Sequence, residues 1–408
     1  MKSACARKEV NGSTFGRKII DHAAQRLCFL EVEGLCARAR KRAGLLDFGD
    51  PQVEEPLSIL LECLEREAGL HPLGRFLMRE HLLGLLKTRL RLNQAWRNDS
   101  DIAPIQRPVF ITGMPRSGST FLHELLSEDQ ASRSPKVWEV MFPFPAPDAG
   151  RTNRDARVRR AAACLWWFRR LAPQADAVYP LRAEMPHEFV AIHSYTFISE
   201  EFVSTSRIPS YERFLRSTGL EVAYVWQKRF LQHLQSRRPT KQWILKSPDH
   251  LCSLEELFSV FPDAIILHTH RNPLEVLKSS IQLTKTLRGL FGRANDTNEL
   301  RDHEARALAE RTERSIRFRD MHPELADRFL DIGYSELVSD PMAVVRRIYR
   351  HLDRPLAGDA IQRMTRLVSN HSRYRRRHNP TLAELGFDAA AEIRRFETYC
   401  QRFGIVCR

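Results

Sequence analysis

The chain is 408 residues long, 43% apolar and 28% charged, with a formal net charge of +14. That composition excludes a disordered or fibrous chain, and no apolar run approaches the ~18 residues of a membrane-crossing helix. The charge is compatible with nucleic acid, with an anionic cofactor or substrate, or with an arginine-rich surface; the arginines are spread along the chain, which favours the surface. Eight scattered cysteines form neither a Cys-x-x-Cys pair nor a Cys/His cluster at zinc spacing. They read as reduced thiols of a cytoplasmic protein with no metal site, their even number an accident. Met1–Glu9 is basic but has no apolar core behind it, so no secretory leader is read.

Residues 1–104 read as a helical N-terminal region. Leu57, Leu60, Leu61 and Leu64 recur at helical spacing, as do Leu82, Leu83, Leu86 and Leu90, and Gly69–Pro72 marks a break between helices. Residues 105–408 read as one α/β domain, a P-loop-like parallel sheet flanked by helices. Strands are expected at Val109–Thr112, Trp243–Leu245, Ala264–Thr269 and Phe329–Ile332. Helices are expected at Gly118–Ser127, near Leu251–Val260, from Pro273, and at Asp340–Leu352. Ligands of such a sheet bind at the carboxyl ends of its strands. Residues 141–240 interrupt the alternation with a basic-aromatic stretch, Arg151–Arg170. A membrane-surface helix and a substrate-covering lid both suit that stretch; its place between two strands of one sheet favours a helical lid over residues 141–240. Arg373–His378 is a charge run, usually a solvated face.

The run Val109–Phe121 carries the most information. An apolar strand leads into Gly113-Met-Pro115-Arg116-Ser117-Gly118-Ser119-Thr120 and then a helix. Backbone N–H groups at that helix start form an anion site. Gly113 and Gly118 have the spacing of a nucleotide-triphosphate loop, but Ser119 stands where that motif needs lysine, and the cation comes earlier, at Arg116. Two further motifs sit where a phosphate loop needs partners. Lys246, in Trp243-Ile-Leu-Lys246-Ser-Pro-Asp-His250, falls at the end of a strand. Arg271 ends the next strand, and Ser279 lies eight residues on, about two helical turns. An arginine and a hydroxyl so placed can hold a second phosphate.

Together these motifs resemble the sulfotransferases that use 3′-phosphoadenosine-5′-phosphosulfate (PAPS), most closely a large bacterial subgroup. The loop is similar to that family's 5′-phosphosulfate loop, and the Arg271–Ser279 spacing to its 3′-phosphate site. Tyr334-Ser-Glu-Leu is similar to an element whose tyrosine lies near the adenine, and Phe121 takes the place of an aromatic residue packed on that base. Ala43–Gly49, Lys246–Leu251 and Leu382–Phe387 also look like the subgroup, so the likeness spans nearly the whole chain. It implies sulfuryl transfer from PAPS to a hydroxyl, less readily an amine, of a small-molecule, lipid or glycan acceptor, leaving 3′,5′-ADP. It further implies that Gly113, Pro115, Arg116, Ser117, Gly118, Ser119, Thr120, Phe121, Arg271, Ser279 and Tyr334 hold the cofactor. Arg375, Arg376 and Arg377 are either a cap on the 3′-phosphate or solvated.

In-line sulfuryl transfer is a matter of positioning and charge stabilisation. Arg116, Lys246 and the loop N–H groups would meet charge on the departing 5′-phosphate. Sulfate carries less charge than a terminal phosphate, so magnesium is not required. Glu139 is the first expectation for the general base, His250 the second; Glu184 and His123 follow. The alternatives are a P-loop kinase, against which Ser119 speaks, and a basic nucleic-acid-binding protein, for which no motif is present. Stable membrane insertion is not expected, and the aromatic residues of 141–240 point weakly to an apolar acceptor.

Overall fold

A computed structural model describes residues 30–97, 103–146, 155–171, 173–178, 180–237, 240, 242–293, 296–371 and 381–407. Its centre is a parallel sheet of four short strands in the order β2-β1-β3-β4. These are β1 (Val109–Gly113), β2 (Ile244–Lys246), β3 (Ile265–His270) and β4 (Phe329–Gly333). β1 and β3 are buried along their whole length, as the continuous apolar runs of a covered parallel sheet require. Ile111 pairs with Lys246 and Gly113 with Thr269, and His270 pairs with Gly333. This register brings the strand ends that carry Gly113, Lys246 and Arg271 to one edge.

The two faces of β1 bury different layers. Val109 and Ile111 pack with Leu122, Leu125 and Leu126 of the helix that follows the loop. Phe110 faces a larger core that joins the sheet to three N-terminal helices, α1 (Val32–Ala43), α2 (Glu54–Arg66) and α3 (Pro72–Arg97). The leucines of the two expected stripes are all buried there. Arg89 of α3 is fully buried, donates to the carbonyls of Phe48 and Tyr195 at 2.9 and 2.8 Å, and lies 3.9 Å over the Trp226 ring. Its donors thus satisfy loop carbonyls that burial would otherwise leave unpaired.

The helix after the loop is α4 (Ser119–Leu126). Beyond it come α5 (Val137–Met141), α6 (Ala156–Leu171) and α7 (Glu221–Gln235). Residues 189–235 are core more than cover: Phe189, Phe197, Phe202, Tyr211, Tyr224 and Phe230 are fully buried. Residues 186–189 lie beside the end of β2, where the Phe189 N–H bonds the Lys246 carbonyl. Further on lie α8 (Leu254–Val260), α9 (Pro273–Arg288), α10 (Thr297–Met321), α11 (Tyr334–Ser339), α12 (Pro341–His351) and α13 (Glu397–Phe403).

The expectation of wholly reduced cysteines needs correction. Gly404 ends α13 with φ +62°, turning the chain back, and Cys407 joins Cys400 in a disulfide. Cys36, Cys63, Cys164 and Cys252 are free thiols. Arg375–Arg377 lie outside the described residues.

Candidate functional site

The loop between β1 and α4 has a shape that only its glycines permit. Gly113 has φ +144°, and a Cβ there would come 2.3 Å from the Thr269 carbonyl oxygen. Gly118 has φ +93°, and a Cβ there would meet Leu337 and the Tyr334 ring at 3.0 and 3.1 Å. Arg116 also has positive φ, +65°, at the crest. Ser117 is buried and braces the turn from within: its Oγ donates to the Met114 carbonyl and lies 2.6 Å from Thr269 Oγ1. The first turn of α4 offers backbone N–H groups with no intrahelical acceptor, at the positive end of the helix.

Two clusters of side chains flank this turn. On one side Arg271 Nη1 donates to the Arg116 carbonyl at 2.7 Å while its guanidinium lies 4.1 Å over the Tyr334 ring. Arg116 Nε donates to Ser279 Oγ at 3.1 Å. Asn272 caps α9 by accepting from the Leu274 N–H, which fixes Ser279 two turns along the helix. On the other side Lys246 Nζ donates to Thr120 Oγ1 at 3.1 Å and forms an ion pair with Glu188. Three cations thus converge on a loop that excludes side chains, which is a site for a molecule with more than one anionic group.

A model of the sulfotransferase family matches residues 108–358. The chain belongs to the sulfotransferase family. Curated relatives from Mycobacterium tuberculosis and Mycobacterium bovis, each an omega-hydroxy-beta-dihydromenaquinone-9 sulfotransferase Stf3, are 27% identical over 66% of this chain and 68% of their own length. Two solved structures are similar throughout. Sulfotransferase STF9 from Mycobacterium avium superposes with a TM-score of 0.82 at 28% identity, covering 93% of this chain and 98% of its own. Sulfotransferase STF1 from Mycobacterium tuberculosis gives 0.80 at 28%, covering 91% and 99%. The protein is therefore an enzyme that transfers a sulfuryl group, built on the expected α/β architecture.

Within this sulfotransferase the acidic and imidazole side chains separate by position. Glu139 is 1% exposed: its carboxylate accepts from Arg133 Nη2 at 2.7 Å and from the Lys136 N–H at 2.9 Å. Arg133 pairs beside the start of β2, its N–H bonding the Gln242 carbonyl, while Lys136, the other donor to Glu139, bridges to Pro186. His250 is equally buried. Its Nδ1 lies 2.6 Å from Tyr224 Oη and its ring packs edge-on to Phe110, where burial pushes its pKa well down. His123 is buried behind α4, its Nε2 donating to the Ile244 carbonyl; burial and then Lys246 push its pKa down to about 3. Glu184 is exposed in a turn. Phe121 packs on the core formed by Leu122, Leu125 and their neighbours.

The residue that the sequence reading did not single out is Glu188. Pro186 bridges to Lys136, and the His187 N–H bonds the Pro135 carbonyl. The Phe189 N–H bonds the Lys246 carbonyl at 2.9 Å. These bonds lay residues 186–189 beside the end of β2 and bring Glu188 onto Lys246. The sequence signal was the segment Arg182–Glu188, where bacterial members of the resembled subgroup often carry an acidic pair that this chain keeps only in broken form.

A second polar cluster lies under β3 and β4. Atoms of His268, His270 and Asp331 lie within 4.8 Å of one another, a spacing that could hold a metal ion. Asp331 is already engaged: it accepts from His270 at 2.8 Å and from both Nη atoms of Arg319 at 2.7 and 2.9 Å. Those bonds hold its carboxyl well below the usual range. An arginine clamped on the only carboxylate makes this an ion-pair network.

Proposed function

We propose that this sulfotransferase uses PAPS as its donor and a hydroxyl group as its acceptor, with Glu188 as general base. The observation that carries the reading is the convergence of Arg116, Lys246 and Arg271 on a loop whose glycines would clash if given side chains. PAPS would supply the sulfuryl group. The backbone of 116–120 with Thr120 suits its 5′ phosphosulfate end, and Arg271 with Ser279 suits its 3′-phosphate; Tyr334, stacked under Arg271, borders the adenine side.

In this reading Glu188 takes the acceptor's proton; its ion pair with Lys246, which also reaches Thr120 of the loop, supports the assignment. Lys246 and Arg116 would meet the negative charge left on the 5′-phosphate side, assisted by the α4 N-terminus. The base assignment thus moves from Glu139, whose oxygens are committed to Arg133 and Lys136. Transfer without a metal and a cytoplasmic location belong to the same proposal. Among the described residues no helix is long and apolar enough to cross a membrane.

For the acceptor, the mycobacterial relatives named for omega-hydroxy-beta-dihydromenaquinone-9 suggest an apolar molecule bearing a hydroxyl. Thermal melting tests the donor. Addition of 3′,5′-ADP should raise the melting temperature, whereas ATP with magnesium should not. The reverse pattern would replace this reading by a P-loop kinase.

A further inference from the structure

The chemistry proposed above makes no use of the outer face of α6. This helix holds Arg157, Arg159, Arg160, Arg169 and Arg170 and no acidic residue. Its inner face is settled: Ala161 and Leu165 pack against Val137, Trp138 and Ala183. Arg157 is also internal, clamped by Asp155 and lying 4.9 Å over the Trp138 ring. Its outer face is unusual for a water-soluble surface. Trp166 and Trp167 are 44% and 60% exposed, with rings edge to face at 4.9 Å. Arg159, Arg160 and Arg170 stand exposed around them.

The positive charge continues past the helix. Lys87 of α3 is pushed down by burial and then by Arg91, Arg160 and Arg42, with Glu80 opposing, so Arg160 of α6 lies among further cations of α1 and α3. The patch also adjoins the base. The Trp138 N–H bonds the Ala183 carbonyl, the Val137 N–H bonds the Met185 carbonyl, and Arg169 donates to the Leu181 carbonyl. The segment so held is the one that ends in Glu188.

We infer that this face of α6 docks on an anionic lipid bilayer. Paired tryptophans settle at the level of lipid headgroups, and arginines beside them are drawn to anionic lipids; a helix with both lies in the interface without crossing it. A nucleic acid would need open ring faces for its bases, and one face of Trp166 is covered by Arg170 at 4.7 Å. As a route by which a hydroxyl-bearing lipid reaches Glu188 the inference rests on the acceptor class proposed above. As a binding property it stands apart from it.

The test uses the full chain with vesicles of phosphatidylcholine mixed with phosphatidylglycerol, against phosphatidylcholine alone. Cosedimentation should show binding to the mixed vesicles only, weakened by added salt. Brominated lipid should quench the tryptophan fluorescence. Trp166→Ser with Trp167→Ser, and separately Arg159→Glu with Arg160→Glu, should each weaken binding roughly tenfold, while leaving 3′,5′-ADP binding unchanged. That nucleotide readout reports folding, and Trp167→Ser alone serves if either pair fails to fold. Wild-type protein that ignores mixed vesicles, variants that bind as wild type, or preferential binding to polyuridylate would each overturn the inference. Failure of the wild type to bind 3′,5′-ADP would instead sink the donor reading and leave the vesicle result intact.

Discussion

Glu139 and Glu188 are both carboxylates paired with a cation beside β2, but the cations differ in place: Arg133 pairs next to the start of that strand and Lys246 is its last residue. Arg133 and Glu139, 8% and 2% exposed at their side chains, are hydrogen-bonded to each other. Lys246 and Glu188 meet where it ends, at 4% and 17%. The first pair has its capacity filled by backbone: Arg133 also donates to the Leu234 carbonyl and Glu139 accepts from Lys136. In the second, Lys246 reaches Thr120 of the anion loop. Two ion pairs of similar chemistry therefore differ in surroundings: the second, through Lys246, touches the loop at the helix N-terminus.

The contrast is sharpest in rate. Glu188→Gln should lower kcat by about 10²–10⁴-fold, with 3′,5′-ADP affinity within a few-fold of wild type; steady-state kinetics beside calorimetry would show it. Near-normal kcat would return the base to the other candidates. Glu139→Ala should act on stability instead, because it removes the carboxylate that balances the buried Arg133 charge. Urea unfolding should show a loss of about 3 kcal/mol, and the folded fraction should bind 3′,5′-ADP normally. An undiminished urea midpoint together with a collapsed kcat would reverse the two roles.

Smaller effects probe the anion side alone. Arg271→Gln should weaken 3′,5′-ADP binding about ten- to hundredfold through loss of a charged hydrogen bond, with less effect on adenosine 5′-phosphate. Equal losses for the two nucleotides would place Arg271 away from the 3′-phosphate. Ser279→Ala should cost about three- to tenfold in 3′,5′-ADP affinity. An unchanged dissociation constant would mean that Ser279 serves only to hold Arg116.

The strands were legible because each is a short, unbroken apolar run leading into a polar turn. Phe110 and Ile111 can only be buried, and the runs ending at Lys246 and His270 behave likewise. The loop was legible because Gly113 and Gly118 report backbone shape directly: positive φ and close approach exclude other residues. Glu188 was not, since Lys246 lies 58 residues away and only the Phe189 and Pro186 backbone bonds bring them together. Glu139 lies closer to the loop helix along the chain, but that distance does not say which side chains it meets, and it pairs with Arg133. The Cys400–Cys407 link was equally hidden, depending on the turn at Gly404.

What the amino-acid sequence determined by itself is the anion loop and the order of strands around it. Those properties are local, written in glycine spacing, helix starts and runs of apolar residues. Which carboxylate pairs with Lys246, and which arginines stay outside with a pair of tryptophans, was decided by tertiary structure. Both depend on hydrogen bonds and packing between segments far apart in the chain, which pair one carboxylate with Arg133 and another with the lysine that reaches the loop.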